Sequence, residues 1–266
     1  SSQNLLRWVI ALVLILAAGY PLVTGSQLTP LPSLNTPEQQ QAFTIVNQIT
    51  AGAPVLVAFD YEPGLSADVE AAATPLLKHL MIRGASLTLM STTATGPLLA
   101  ERFMAVQQAS QGYLPNENYI NLGYLPGGAT GLAGLAQNPQ AVLPMTFQGY
   151  GAWNSELLAS ITTVSDYALV VVLTDNADTG RAWLEQVKPS LGNQPLIMAT
   201  SAQAAPLLLP YYQSVPRSLD GLISGLSGGS AYSTQLGAGA PAPGAWDAYS
   251  FSMLAAVALI FLGGLV

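Results

Sequence analysis

Two long apolar runs bracket this sequence, and whatever lies between them must fold with both ends held. The first, 5–23, reads LLRWVIALVLILAAGYPLV, and the second, 251–266, reads FSMLAAVALIFLGGLV. About 20 apolar residues suffice for an α-helix to cross a bilayer core. The first run is broken only by Arg7, close enough to its start for the cationic side chain to reach the headgroups. Trp8 and Tyr20 fall near its two ends, where interfacial aromatics belong, and Pro21 is expected to end or kink the helix. The same run fits a cleaved signal peptide, with Arg7 as the charged region and 17–19 as the small-residue site. We expect a retained transmembrane helix over 5–23. The second run covers about 24 Å at 1.5 Å per residue, less than the ~30 Å hydrocarbon core. Trp246 and Tyr249 precede it as interfacial anchors and no basic residue follows. We expect a transmembrane helix over 248–266, cut short at Val266 or followed by further spans.

Basic residues set the expected sidedness. Arg7 is the only one before the first run ends, the next is Lys78, and none follows Arg217. The positive-inside rule then puts the N-terminus in the cytoplasm and the main domain on the extracytoplasmic side of the cell membrane. The absence of cysteine agrees with an exported domain. With seven basic against fourteen acidic residues, the chain is a poor partner for nucleic acid or anionic lipid. Only 8% of residues are charged, against about 25% in ordinary globular domains. Such a surface is either adapted to an unusual exterior or covered by neighbouring subunits, because interface cores are depleted in charge. The partners expected are the lipid bilayer and either further copies of the chain or other subunits of a membrane complex.

Between the runs, short apolar segments alternate with helical patterns. A polar, Pro-rich linker over 24–37 leads to a helix over 38–51, with Thr36 as its cap and Pro37 in its first turn. PVLVAF at 54–59 and ALVVVL at 168–173 have the continuous apolar character of strands buried on both faces. Further strands are expected at 86–90, 119–124 and 196–199. Helices are expected at 66–82 (capped by Ser66), 96–108, 130–136, 178–191 and 202–212, with an irregular insert at 137–165. This order predicts an α/β domain over 38–224: a doubly wound, mostly parallel sheet of Rossmann-like or flavodoxin-like type. Residues 225–247, rich in Gly, Ala, Pro and Ser, read as a flexible linker into the second transmembrane helix.

In open α/β sheets ligands bind beyond the carboxyl ends of the strands. Asp60 and Glu62 follow the first strand, and carboxylates at i and i+2 there suit a hard cation or acid–base chemistry, or merely cap the next helix. Asp175 follows the fourth strand. Gly127 and Gly128 stand between a strand and a helix, where backbone N–H groups can hold an anion or glycine can simply allow a tight turn. They belong to neither the dinucleotide nor the P-loop glycine pattern. His79, the only histidine, is placed within a helix as a surface or interface side chain. No catalytic set, metal site or cofactor is implied.

Two segments carry a resemblance. YINLGYLPGG occupies 119–128. A second stretch runs from Pro206 through Tyr211-Tyr212-Gln213-Ser214 to Gly221-Leu222-Ile223-Ser224-Gly225-Leu226. Together they resemble an uncharacterised family of prokaryotic membrane-anchored α/β proteins with NLGYxPGG and PYYQSG-like segments, over roughly 120–235. The chain departs from that pattern at Val215-Pro216-Arg217-Ser218, where the family is shorter. It departs again at Ser230-Ala231-Tyr232-Ser233, where an acidic AEYE ending is missing. The resemblance implies a membrane-anchored α/β protein and no particular activity. The expected function is therefore a non-enzymatic, membrane-anchored structural or assembly subunit. The alternative is a ligand- or cation-binding module using the strand-end crevice at Asp60, Glu62, Gly127, Gly128 and Asp175.

Overall fold

The computed structural model describes residues 2–29, 35–239 and 244–263. The expected linkers at 24–37 and 225–247, and the run to Val266, therefore lie partly outside the described residues. In chain order the elements are α1 (Ser2–Thr24), α2 (Pro37–Asn47), β1 (Pro54–Asp60), α3 (Ser66–Ile82), β2 (Ser86–Ser91), α4 (Gly96–Gln111), β3 (Tyr119–Tyr124), α5 (Gly128–Gln137) and α6 (Pro139–Val142). They continue with β4 (Leu169–Thr174), α7 (Ala177–Gln186), β5 (Leu196–Thr200), α8 (Ala205–Gln213), β6 (Gly221–Ser224), α9 (Gly225–Gln235) and α10 (Ala245–Gly263). The chain divides into two compact units, Ser1–Pro32 with Ala240–Val266, and Ser33–Gly239.

In the first unit α1 and α10 pack against each other. Both are long and apolar enough to cross a membrane, and side chains such as Leu6, Leu12, Leu16, Leu254, Ile260 and Phe261 are exposed. Pro21 does not end α1, which runs on to Thr24. Asp247, in the first turn of α10, is buried and accepts hydrogen bonds from the backbone N–H groups of Leu28 (2.5 Å) and Thr29 (2.8 Å). The hydroxyls of Ser26 and Thr29 donate to the same carboxylate. A carboxylate at a helix N-terminus is favoured by the exposed amide dipoles there. Here it also fixes the stretch that follows α1.

The second unit is an α/β layer structure. Its six strands are all parallel, in the order β3-β2-β1-β4-β5-β6. Strand side chains alternate between faces, and both faces are covered. Val55, Val57, Phe59, Val171 and Leu173 pack into one core with residues of α2, α3, α4 and α9. Leu56, Ala58, Val170, Val172 and Met198 pack into the other with residues of α5, α7 and α8. From β1 the chain steps outward through β2 to β3. It then returns to lay β4 against the other side of β1, and continues through β5 to β6. The loops leaving β1 and β4 thus diverge from the middle of the sheet.

Two expectations are corrected by this unit. The sheet has a sixth strand, β6, and the expected linker is helical over Gly225–Gln235. Poor intrinsic helix formers dominate GLSGGSAYSTQ, so the helix depends on its packing. A Cβ on Gly229 would lie 2.7 Å from Ala71 C and 3.0 Å from Ala72 Cα, so glycine lets α9 meet the backbone of α3. Tyr232 is completely buried on α9. Smaller corrections follow from local geometry. The helix expected over 38–51 stops at Asn47, before a turn at Gly52 (φ 77°). Ser66 is the first helical residue of α3 rather than its cap.

Gly229→Ala is expected to destabilise the folded chain by about 1–3 kcal/mol through overpacking. Gly64→Ala, where nothing lies within 4 Å of the added Cβ, should change stability by less than about 0.5 kcal/mol. Chemical denaturation of both variants checks the difference.

Candidate functional site

The carboxyl ends of β1, β4, β5 and β6 carry a polar line. Asp60 pairs in register with Thr174, Thr174 with Thr200, and Thr200 with Ser224. Asp60 is completely buried. Its Oδ2 accepts from Trp183 Nε1 at 2.7 Å, and its Oδ1 accepts from Thr92 N at 2.5 Å and Ser91 Oγ at 3.0 Å. Burial pushes this carboxyl above the usual carboxylate range, while the hydrogen bonds from Trp183, Thr92 and Ser91 pull it back down. The group ties β1 to the loop after β2 and to α7, and it is closed to solvent.

Near it lies a cleft of about 460 Å³ between the loop after β1 and the starts of α7 and α8. Glu62, Asp175, Asn176, Asp178, Arg181 and Gln203 give it a polar lining, and Leu65 and Leu207 add apolar edges. Asp175 Oδ2 accepts from Glu62 N at 2.9 Å, so the loops after β1 and β4 meet here. Asn176 caps α7, its Oδ1 accepting from Asp178 N at 2.8 Å and Thr179 N at 3.4 Å. Asp178 pairs with Arg181 at 2.7 Å. Glu62 and Asp175 therefore share one cleft, and Asp60 sits in the core instead.

Gly127 and Gly128 do not border this cleft. They follow β3, at the sheet edge, with φ of 96° and 52°. Gly127 O accepts from Thr130 N and Gly131 N, which makes the turn into α5. Among the described residues no group of three or more His, Cys, Asp or Glu side chains converges to hold a metal ion. Strand-end positions do not point to Arg181, Gln203 or the two leucines. Only the i,i+3 spacing of Arg181 from Asp178 gives a sequence signal for any of them.

The NLGY segment shapes the β3 edge. Pairing with β2 slips between Leu89↔Asn121 and Ser91↔Tyr124, a bulge at which Gly123 takes φ 81°. Asn121 holds it in place: its Oδ1 accepts from Gly123 N at 3.0 Å, and its Nδ2 donates to Glu101 Oε1 at 2.8 Å on α4. On the outer side Asn121 O accepts from Phe147 N at 2.8 Å, which pins a tight turn closed by Thr146 N donating to Tyr150 O at 2.7 Å. Tyr124, Met145 and Phe147 are 44–47% exposed and Tyr150 is 73% exposed. This apolar rim falls partly in the stretch read from sequence as an irregular insert.

His79 is not a surface residue. It is 3% exposed, its Nδ1 lies 2.9 Å from Tyr232 Oη, and its ring lies 4.7 Å from that of Phe43. Burial, aided by nearby Arg83, pushes its pKa down to about 4.

The structure thus defines a parallel α/β domain accompanied by two long apolar terminal helices. No protein-family model, curated protein or solved structure matches the chain.

Trp183→Phe removes the donor to buried Asp60 Oδ2 and is expected to cost about 1–3 kcal/mol. Asp178→Ala, on the same helix but exposed, should cost less than about 0.5 kcal/mol. Urea titrations followed by circular dichroism distinguish the two outcomes.

Proposed function

We propose that this chain is a non-enzymatic, membrane-anchored assembly subunit whose α/β domain docks neighbouring subunits. The observation that carries this reading is the apolar rim on the β3 edge. An edge strand must be paired, covered or blunted by charge to avoid adventitious pairing. Here the cover itself displays Met145, Phe147 and Tyr150 to solvent beside Tyr124. Contiguous exposed aromatic and Met side chains are typical of interface centres. The low charged fraction fits a surface that is partly covered.

Several further points support the setting. The strand order and the helices on both faces favour a doubly wound, Rossmann-like sheet. The lengths and apolar faces of α1 and α10 favour insertion in the cell membrane, and Arg7 favours an extracytoplasmic domain. The NLGY and PYYQS segments favour membership of the membrane-anchored family that shares them. The engagement of His79 with Tyr232, within the helical layer, favours a non-catalytic role.

Purified in mild detergent, the chain is expected to form a dimer or larger assembly by light scattering. Phe147→Glu and Tyr150→Glu should convert it to monomer with stability changed by less than about 0.5 kcal/mol. A monodisperse wild-type monomer that retains no partner overturns the proposal.

The meeting of Glu62 and Asp175 favours a second reading, a ligand- or cation-binding module in the cleft between β1 and β4. Thermal shifts with Ca²⁺, Mg²⁺ and nucleotides should then appear in the wild type and vanish in Asp175→Ala. Identical melting with and without every ligand eliminates this reading.

A further inference from the structure

α9 is a helix that its own sequence does not sustain. Gly228, Gly229 and four Ser or Thr residues weaken it, and an isolated helix of this length is marginal even with good formers. What holds it is contact: the close approach at Gly229 to Ala71 and Ala72, and the insertion of Tyr232 beside His79 and Phe43. At the centre of this contact lies the only histidine of the chain.

The charges around that histidine are one-sided. α9 carries no charged residue, and α2 carries only Glu38, in its first turn. On α3, Lys78 precedes His79 and Arg83 follows one turn later, while Glu70 and Asp68 lie more than two turns towards the N-terminus. Asp68 engages the other end of α9, accepting from Leu226 N at 3.3 Å. The rings in contact with the imidazole are those of Phe43 and Tyr232. Among the described residues no carboxylate faces His79 to accommodate an imidazolium. A proton on that ring is therefore opposed by burial and by the neighbouring cations, and it is accepted freely only once α9 has moved away.

We propose that α9 is an acid-released strap: protonation of His79 undocks residues 225–235 from α3 and converts them from helix to tether. The consequence concerns reach. Release frees the 11 residues of Gly225–Gln235 from the helix. Those residues span about 16 Å as a helix and up to about 40 Å when fully extended.

The sign follows from linkage. His79 has a pKa of about 4 when docked and takes its ordinary value near 6.5 when exposed. Docking is therefore strongest above pH 6.5 and weakens as pH falls towards 4. The opening equilibrium at pH 5 is expected to be about 30-fold larger than at pH 7.5.

Hydrogen exchange on the full chain in nanodiscs tests this, corrected for intrinsic exchange rates and referenced to β1 and β4. Protection of 225–235 should fall about 30-fold between pH 7.5 and pH 5, with β1 and β4 unchanged. His79→Gln should abolish the pH dependence. Equal protection of 225–235 at both pH values overturns the proposal. So does an undiminished effect in His79→Gln, or a loss shared equally by β1 and β4. Should His79→Gln fail to fold, imidazole NMR of the wild type reports on the single histidine directly. Titration coupled to loss of α9 protection supports the strap, and titration near pH 6.5 with α9 still protected refutes it.

Discussion

Between β1 and β4 the chain pairs strands that are separated by more than a hundred residues, and both halves of the sheet take their register from that line. Such a contact closes a long loop before it yields any burial, which makes it costly in chain entropy and slow to form. The side chains show how it is secured. Val55, Val57, Val171 and Leu173 fill one core while Leu56, Val170 and Val172 fill the other. At the carboxyl end the indole of Trp183 reaches across 123 positions to Asp60. A carboxylate so placed demands its donors, because a buried charge or acceptor left unpaired is expensive. The same knot that ends β1 thereby sets the approach to α4, through Ser91 and Thr92, and the seating of α7.

The strands that could be read from the sequence are those whose burial on both faces leaves an unbroken apolar run. PVLVAF and ALVVVL are such runs, bounded by turn residues, and they supply the two central strands β1 and β4. β6 escaped because four residues, GLIS, sit in a glycine-rich stretch whose local preference is for a loop. α9 escaped for a related reason: its stability lies in contacts with α3 that composition does not reveal. In the candidate site, Glu62 and Asp175 were identifiable because any residue just past a central strand lies near the divergence of the loops. Asp60 differs by one position. It still belongs to the strand and shares the parity of Leu56 and Ala58, so its side chain enters the core. Tyr61, of opposite parity, turns to the other face and donates to Glu70 at 2.9 Å. Both faces of the sheet are covered, so a carboxylate still within the strand is buried whichever face it takes, and Glu62 and Asp175 reach the cleft because they lie beyond the strand ends.

The two glycines after β3 and the bulge within it have a common origin. An edge strand that must bend away from the sheet and then turn sharply into a helix needs left-handed backbone at Gly123, Gly127 and Gly128. The conspicuous sequence of this segment is accounted for by backbone geometry, with Asn121 as the side chain that stabilises it. What the bend exposes is the rim of Tyr124, Met145, Phe147 and Tyr150.

Asp247 links the residues just after α1 to the first turn of α10, so the two helices are closed at one end into an antiparallel hairpin. On the reading that both cross the membrane, the two passages cancel. Residues 2 and 263 then share one compartment, and a label placed at either position would report the same side of the bilayer.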